Sequence, residues 1–237
     1  MSNERISKVI TVAFALCIVC SVIVSTAAVM LKPAQEANQA LDRKRNILAA
    51  AGMLEDGKSI DEQFAQINTR IVDLRTGKFS DDVDVESYDQ RAAAKDPSLS
   101  DKLSGAEDPA KILRREHYAM VYLSESSDGD IDKIILPVHG YGLWGQLYGF
   151  IALESDANTV AVLGFYEHKE TPGLAGEVDN PRWKGLWPGK QIYDDGEVAI
   201  EVLKGTADPG SAMADYQIDG LAGATLTTRG VSNLVQY

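Results

Sequence analysis

From Val9 to Leu31 the chain carries no charged residue and runs through Val, Ile, Ala, Leu, Phe and Cys. At about 1.5 Å per residue such a helix is about 34 Å long, enough to cross the hydrocarbon of a bilayer. A cleaved signal peptide is the rival reading, because Arg5 and Lys8 form a basic start and Ser25-Thr26-Ala27 offers small residues to a peptidase. The apolar run exceeds the roughly 7 to 15 residues of a signal core, so a retained single-span anchor in contact with membrane lipid is expected. Orientation does not follow from charge: Arg5 and Lys8 precede the run, while Lys32, Arg43, Lys44 and Arg45 follow it. Cys17 and Cys20 both lie within the run. Ionised thiolates are disfavoured there, so they read as apolar packing residues, and the rest of the chain holds no thiol for a disulfide, thiolate zinc or iron–sulfur site.

After the run, enough chain remains for one substantial domain. With 23 basic against 35 acidic residues the net charge is −12, which repels phosphate backbones and argues against nucleic acid as a partner. Ala34–Ala51 is rich in helix formers and is followed by Gly52, which predicts a stalk helix closed in a left-handed conformation. Ile60, Phe64, Ile67 and Ile71, spaced by four, three and four, predict a second helix, with Ser59 as N-cap and Glu62 completing a capping box. Asp81–Asp108 is acidic, poor in large apolar residues and holds Pro97 and Gly105, so it reads as a loop.

Strand patterns then accumulate at Tyr118–Leu123, Lys133–Pro137, Gln146–Leu153, Thr159–Glu167 and Val198–Leu203. The short Asp156-Ala157-Asn158 connection predicts a hairpin. Helices followed by mostly adjacent strands indicate an α+β fold with a mainly antiparallel sheet and flanking helices. No G-x-G-x-x-G opens a helix after a strand, so a dinucleotide-binding Rossmann fold has no support.

Three segments carry the chemistry. Asp219-Gly-Leu-Ala-Gly-Ala-Thr225-Leu226-Thr227-Thr228 leaves its backbone uncovered at residues 222–224, where a phosphate can approach main-chain N–H groups. Thr227 or Thr228 is a candidate cap for a helix through Val231–Val235, whose N-terminus favours an anion; an ordinary glycine-containing turn before a helix fits the same residues. In His168-Lys-Glu170-Thr171-Pro172-Gly173-Leu174, Pro172 and Gly173 make a rigid turn able to face a planar ligand. Glu170 and Thr171 offer polar contacts there and Leu174 an apolar one, while His168 has no reason to transfer protons. In His139-Gly-Tyr141-Gly142-Leu143-Trp144-Gly145, interleaved glycines let backbone lie against a ring system on which Tyr141 or Trp144 can stack. Lys204, ending a predicted strand shortly before the first segment, is a candidate to neutralise a phosphate.

The first segment resembles the flavinylation motif D-x-x-[ST]-G-A-T of FMN-binding domains, in which a flavin transferase moves FMN from FAD onto the last threonine. The match assigns Asp219, Gly223, Ala224 and Thr225, with Leu226 and Thr227 beside them, and Ala222 stands where Ser or Thr is usual. The other two segments resemble the family's H-x-E-T-P-G-L and G-x-G-L-W-G elements. Together with the apolar run, Leu41-Asp-Arg-Lys-Arg-Asn-Ile-Leu and Asn180-Pro-Arg-Trp-Lys-Gly-Leu-Trp, they resemble the NqrC family, the flavin subunits of bacterial sodium-translocating NADH:quinone reductases, whose chains usually continue beyond the position of Tyr237. The flavin subunit of the Rnf-type ferredoxin:NAD oxidoreductase is a related alternative, and an unflavinylated membrane-anchored assembly or binding module is another.

That resemblance implies residues 1–8 in the cytoplasm, a span at 9–31, a stalk and connection at 32–58, and an FMN-binding domain at 59–237 in the periplasm of an inner membrane. It further implies FMN bound covalently by a phosphoester to Thr225, electron exchange with other subunits of the complex, and a flavin transferase as maturation partner. No residue is required as a catalytic acid or base, and no metal site is implied.

Overall fold

The computed structural model describes residues 3–126 and 128–237. Met1 and Ser2 of the expected cytoplasmic segment, and the side chain of Arg5, lie outside the described residues. The chain divides into two units, one ending at Arg43 and the other spanning Lys44–Tyr237.

The first unit is helix only. Helix α1 runs without a break over Asn3–Ala51, so the expected stalk helix from Ala34 continues the apolar helix rather than starting a new one. Pro33 lies inside α1; it removes one backbone donor without ending the helix. Every described side chain from Ile6 to Arg43 is exposed, and this helix is long and apolar enough, by length and composition, to cross a membrane. Two of its hydroxyls return to their own helix: Thr11 Oγ1 donates to the Ser7 carbonyl and Ser21 Oγ to the Cys17 carbonyl.

In the second unit, α1 ends at Ala51 and Gly52 follows at φ +72°. Helix α2 covers only Ile60–Phe64, and strand β1 takes Asn68–Asp73. The predicted second helix therefore stops before Ile67 and Ile71. A spacing of four places two residues on one face of a helix and also on one face of a strand, and the β-branched Thr69, Ile71 and Val72 resolve the ambiguity toward strand. Ser59 makes no side-chain cap. The α2 entry is held instead by buried Gln63, whose Oε1 accepts the Glu55 N–H at 2.7 Å while its amide donates to the Lys58 and Ser59 carbonyls.

Strand β2 (Lys78–Phe79) follows. The expected 81–108 loop contains a short helix α3 (Gln90–Ala93), capped by Asp89 accepting the Ala92 N–H, and strand β3 (Ser100–Lys102), which pairs with β4 (Arg114–Glu116). Next come β5 (Tyr118–Glu125), β6 (Ile131–Tyr141), β7 (Gln146–Glu154) and β8 (Val160–Glu167). Helix α4 (Pro181–Lys184), strands β9 (Tyr193–Asp194), β10 (Glu197–Val198), β11 (Glu201–Val202) and β12 (Gln217–Ile218), and helix α5 (Thr225–Gln236) complete the chain. The predicted strand over Val198–Leu203 is broken into β10 and β11, because Ala199 and Ile200 both turn their N–H groups onto the Ile192 carbonyl.

The main sheet has six strands in the order β2-β1-β5-β6-β7-β8, all antiparallel; β11 and β12 form a separate parallel pair. The β7–β8 hairpin turns at Ala157 as expected, with Asp156 Oδ1 accepting the Asn158 and Thr159 N–H groups. Strand β7 alternates imperfectly because both its faces are buried. Leu147, Ile151 and Leu153 join a core with Trp183, Trp187, Val231 and Leu234. Phe150 and Ala152 point the other way, into a core with Ile47, Leu48, Ile67 and Tyr122. The last turns of α1 are thus drawn into the second unit.

Candidate functional site

The β6–β7 ladder runs out at Tyr141↔Gln146, which leaves Gly142-Leu143-Trp144-Gly145 as a hairpin tip closed by the Gly142 N–H on the Gly145 carbonyl at 2.8 Å. The next two N–H groups of the tip, on Leu143 and Trp144, both donate to Glu170 Oε1 at 2.9 and 3.0 Å. The tip is held by its backbone, and large side chains on and beside it reach solvent: Trp144 is 63% exposed, and Tyr141 and Leu143 are also exposed.

Glu170 belongs to the stretch after β8. There Thr171-Pro172-Gly173-Leu174 forms a turn with the Leu174 N–H on the Thr171 carbonyl and Gly173 at φ +76°, the geometry that Pro followed by Gly favours. Leu174 is exposed, and it lies against the open Cα of Gly223. Glu170 itself is only 4% exposed, and its second oxygen accepts the Thr227 hydroxyl at 2.6 Å. One buried carboxyl group therefore receives three donors from two distant segments, which satisfies its oxygens in the interior. The polar contacts expected from Glu170 toward a ligand are made to the protein.

Helix α5 begins at Thr225 after a turn in which the Ala224 N–H meets the Leu221 carbonyl. Neither Thr227 nor Thr228 caps it. Ala224 occupies the cap position without a side-chain bond; Thr227 is fully buried on Glu170, and the Thr228 hydroxyl accepts the Leu221 N–H at 3.0 Å. The first-turn N–H groups of α5 have no partner within the helix, and this end carries the positive pole of the helix dipole. Thr225 is half-buried there, with Leu226 exposed next to it. Gly230 packs α5 onto the hairpin: a Cβ at this position would run into the Tyr141 carbonyl, so only glycine lets the helix approach so closely.

Asp219 supports the site from below. Its Oδ1 accepts the Ala207 N–H at 2.8 Å and its carbonyl accepts the indole N–H of Trp183 at 2.8 Å. Lys204 is exposed and enters no ion pair among the described residues, and the backbone joining Leu203 to Lys204 abuts Gly220. On the opposite face of the sheet, His139 stacks on Tyr148 at 5.7 Å, and burial holds its imidazole below the usual histidine range.

The fold thus assembles the three predicted segments: the hairpin tip, the Glu170–Leu174 turn and the start of α5 converge through Glu170. Sequence reasoning missed the inward use of Glu170, the Thr228 bond to Leu221 and the Trp183 bond to Asp219. A glycine in the middle of α5, where it costs helix stability, is the one local sign of the close approach at Gly230.

A half-buried hydroxyl at a helix N-terminus, a hairpin tip tied to that helix through Glu170, and exposed large side chains on the converging segments point to an FMN-binding domain, and residues 142–237 match the family model of that description. The chain is 54% identical to the NqrC subunit of the Na(+)-translocating NADH-quinone reductase of Pseudomonas aeruginosa, covering 100% of this chain and 92% of that protein. It is 49% identical to the protein of the same name from Vibrio vulnificus, over 100% of this chain and 91% of the relative. It belongs to the NqrC family of Na+-translocating NADH-quinone reductase subunits. The crystal structure of NqrC from Shewanella oneidensis is similar, with a TM-score of 0.75 at 34% identity over 84% of this chain and 91% of that one.

Proposed function

We propose that this chain is the FMN-carrying electron-transfer subunit of a Na+-translocating NADH:quinone reductase, with the flavin joined by a phosphoester to Thr225. The observation that carries the attachment site is the fate of three hydroxyls in one helical turn. Thr227 and Thr228 are buried and engaged with Glu170 and Leu221, whereas Thr225 alone is not buried and stands at the first position of α5. The residues fit the group. A phosphate at Thr225 would meet main-chain donors and the helix dipole, and the exposed aromatic and aliphatic side chains on the segments that converge on α5 suit a planar apolar ring.

In maturation by a flavin transferase, an Oγ1–phosphorus bond would form at Thr225 as the pyrophosphate P–O bond of FAD breaks, with the bridging oxygen leaving on AMP and the hydroxyl proton passing to solvent. Bound there, FMN supplies the redox chemistry that passes electrons between other subunits of the complex. The chain's own residues hold and surround it. Glu170 fixes the hairpin tip to α5, Trp144 and Tyr141 offer faces for stacking, Leu143, Leu174 and Leu226 keep water from the ring, and Lys204 and the α5 N-terminus offset phosphate charge. A covalent tie keeps the group in place in every redox state, so differences in binding strength act on potential alone.

The apolar part of α1, residues 9–31, serves as the anchor in a bacterial inner membrane. Residues 1–8 lie on the cytoplasmic side, 32–58 form the stalk and connection, and 59–237 form the periplasmic flavin domain. After coexpression with the flavin transferase, intact mass should rise by about the mass of FMN minus water. Thr225→Ala should abolish the added mass and the denaturant-resistant flavin fluorescence, while Thr227→Ala should keep both; equal labelling of the two variants would refute the assignment.

A further inference from the structure

Residues 168–171 follow β8 outside any helix or strand, so no ladder bonds fix the backbone that carries Glu170. A side-chain bond takes their place. The Glu170 N–H donates to His168 Nδ1 at 3.2 Å, while His168 Nε2 lies 2.7 Å from Asp179 Oδ2. A backbone amide can only donate, so Nδ1 carries no proton and the ring's single N–H is on Nε2, directed at the Asp179 carboxylate. Asp179 ends the short 3-10 helix Ala175–Asp179, and its other oxygen lies 3.9 Å from the Lys184 ammonium. The imidazole is largely enclosed, with 15% of its side chain exposed.

We propose that His168 is a positioning residue for the flavin site: anchored on Asp179 as the Nε2–H tautomer, it accepts the Glu170 amide and so aims the Glu170 carboxylate at the Leu143 and Trp144 amides and the Thr227 hydroxyl. Without that bond the residues between β8 and the Thr171–Leu174 turn are free to rotate. The carboxylate then holds the hairpin tip to α5 only part of the time. The proposal rests on the flavin reading of the site where labelling is its readout, but the tautomer and the Glu170 amide bond are properties of the polypeptide alone.

The test compares two amides in the full chain coexpressed with its flavin transferase. In His168→Asn the amide oxygen stands where Nδ1 stood and keeps the acceptor for Glu170; in His168→Gln the amide reaches Asp179 instead and the acceptor is lost. Labelling of the Asn variant should stay within about twofold of the parent and that of the Gln variant should fall roughly tenfold, the factor expected for one hydrogen bond. A role in packing alone predicts the reverse order, since Gln fills more of the space, and either that order or equal labelling would overturn the proposal. Independently of labelling and of variant folding, ring nitrogen resonances of the parent at pH 8 should report a protonated Nε2 and a bare Nδ1. The opposite tautomer would overturn it as well. A parent that carries no flavin would sink the flavin reading instead, and the tautomer together with hydrogen exchange at the Glu170 amide would then decide the role of His168.

Discussion

Two regions expose large apolar side chains, and they do so in different ways. Along α1, Val9 to Leu31 shows Val, Ile, Leu, Phe and Met on every side of the helix, with hydroxyls of Thr11 and Ser21 turned back onto their own backbone. On the segments that converge at the start of α5, exposed Tyr141, Leu143, Trp144, Leu174 and Leu226 are backed by a polar framework in which Glu170 ties the hairpin tip to the helix. The first surface is unspecific and suits a fluid solvent such as lipid, which asks only for length and apolarity. The second is small, mixed with backbone donors and rigidly backed, which suits one shaped ligand. Exposure alone does not tell the two apart. What lies behind the exposed side chains does.

The sharpest way to break this contrast is to remove the backing. Glu170→Ala leaves the Leu143 and Trp144 amides and the Thr227 hydroxyl without their acceptor in a buried place, at a cost of about 1 to 3 kcal/mol for each group that water does not reach. The variant should melt well below the parent in thermal denaturation and should lose flavin labelling. An unchanged melting temperature would show that the link between the hairpin tip and α5 needs no support from Glu170. For α1 the corresponding experiment is a charge placed among the exposed side chains. Ile18→Lys should raise the cost of a spanning helix by about 3 kcal/mol. The variant chain should shift from the membrane fraction to the soluble or degraded fraction. A charge tolerated at residue 18 without change of fraction would mean that lipid does not surround this face.

Much of this could be read from the sequence, and the failures have physical causes. The α1 run, the β7–β8 hairpin and the strands between Tyr118 and Glu167 follow from period, length and turn chemistry, which act locally. Ile67 and Ile71 misled because a spacing of four satisfies helix and strand alike. The 81–108 stretch hid α3 and β3, whose few residues are stabilised by Asp89 and by pairing with Arg114–Glu116 rather than by their own propensity. The segments of the site were recognisable by resemblance, but their convergence was not. Glu170 meets Thr227 across 57 residues of chain, and no pattern within either segment says that the carboxylate turns inward.

The smallest expected change in stability is also the most discriminating. Trp144 shows most of its surface to solvent, while its backbone amide donates to Glu170. Trp144→Ala should therefore alter stability by no more than about 0.5 kcal/mol, as for a largely exposed residue. If the indole stacks on the flavin, the same substitution should change the absorbance maximum and fluorescence yield of the labelled protein, since aromatic contact alters the electronic environment of the ring. A stable variant with an unchanged flavin spectrum would take the indole out of the cofactor site. A destabilised one would show that Trp144 belongs to the core, and that fewer side chains of the hairpin tip are available to a ligand than their exposure indicates.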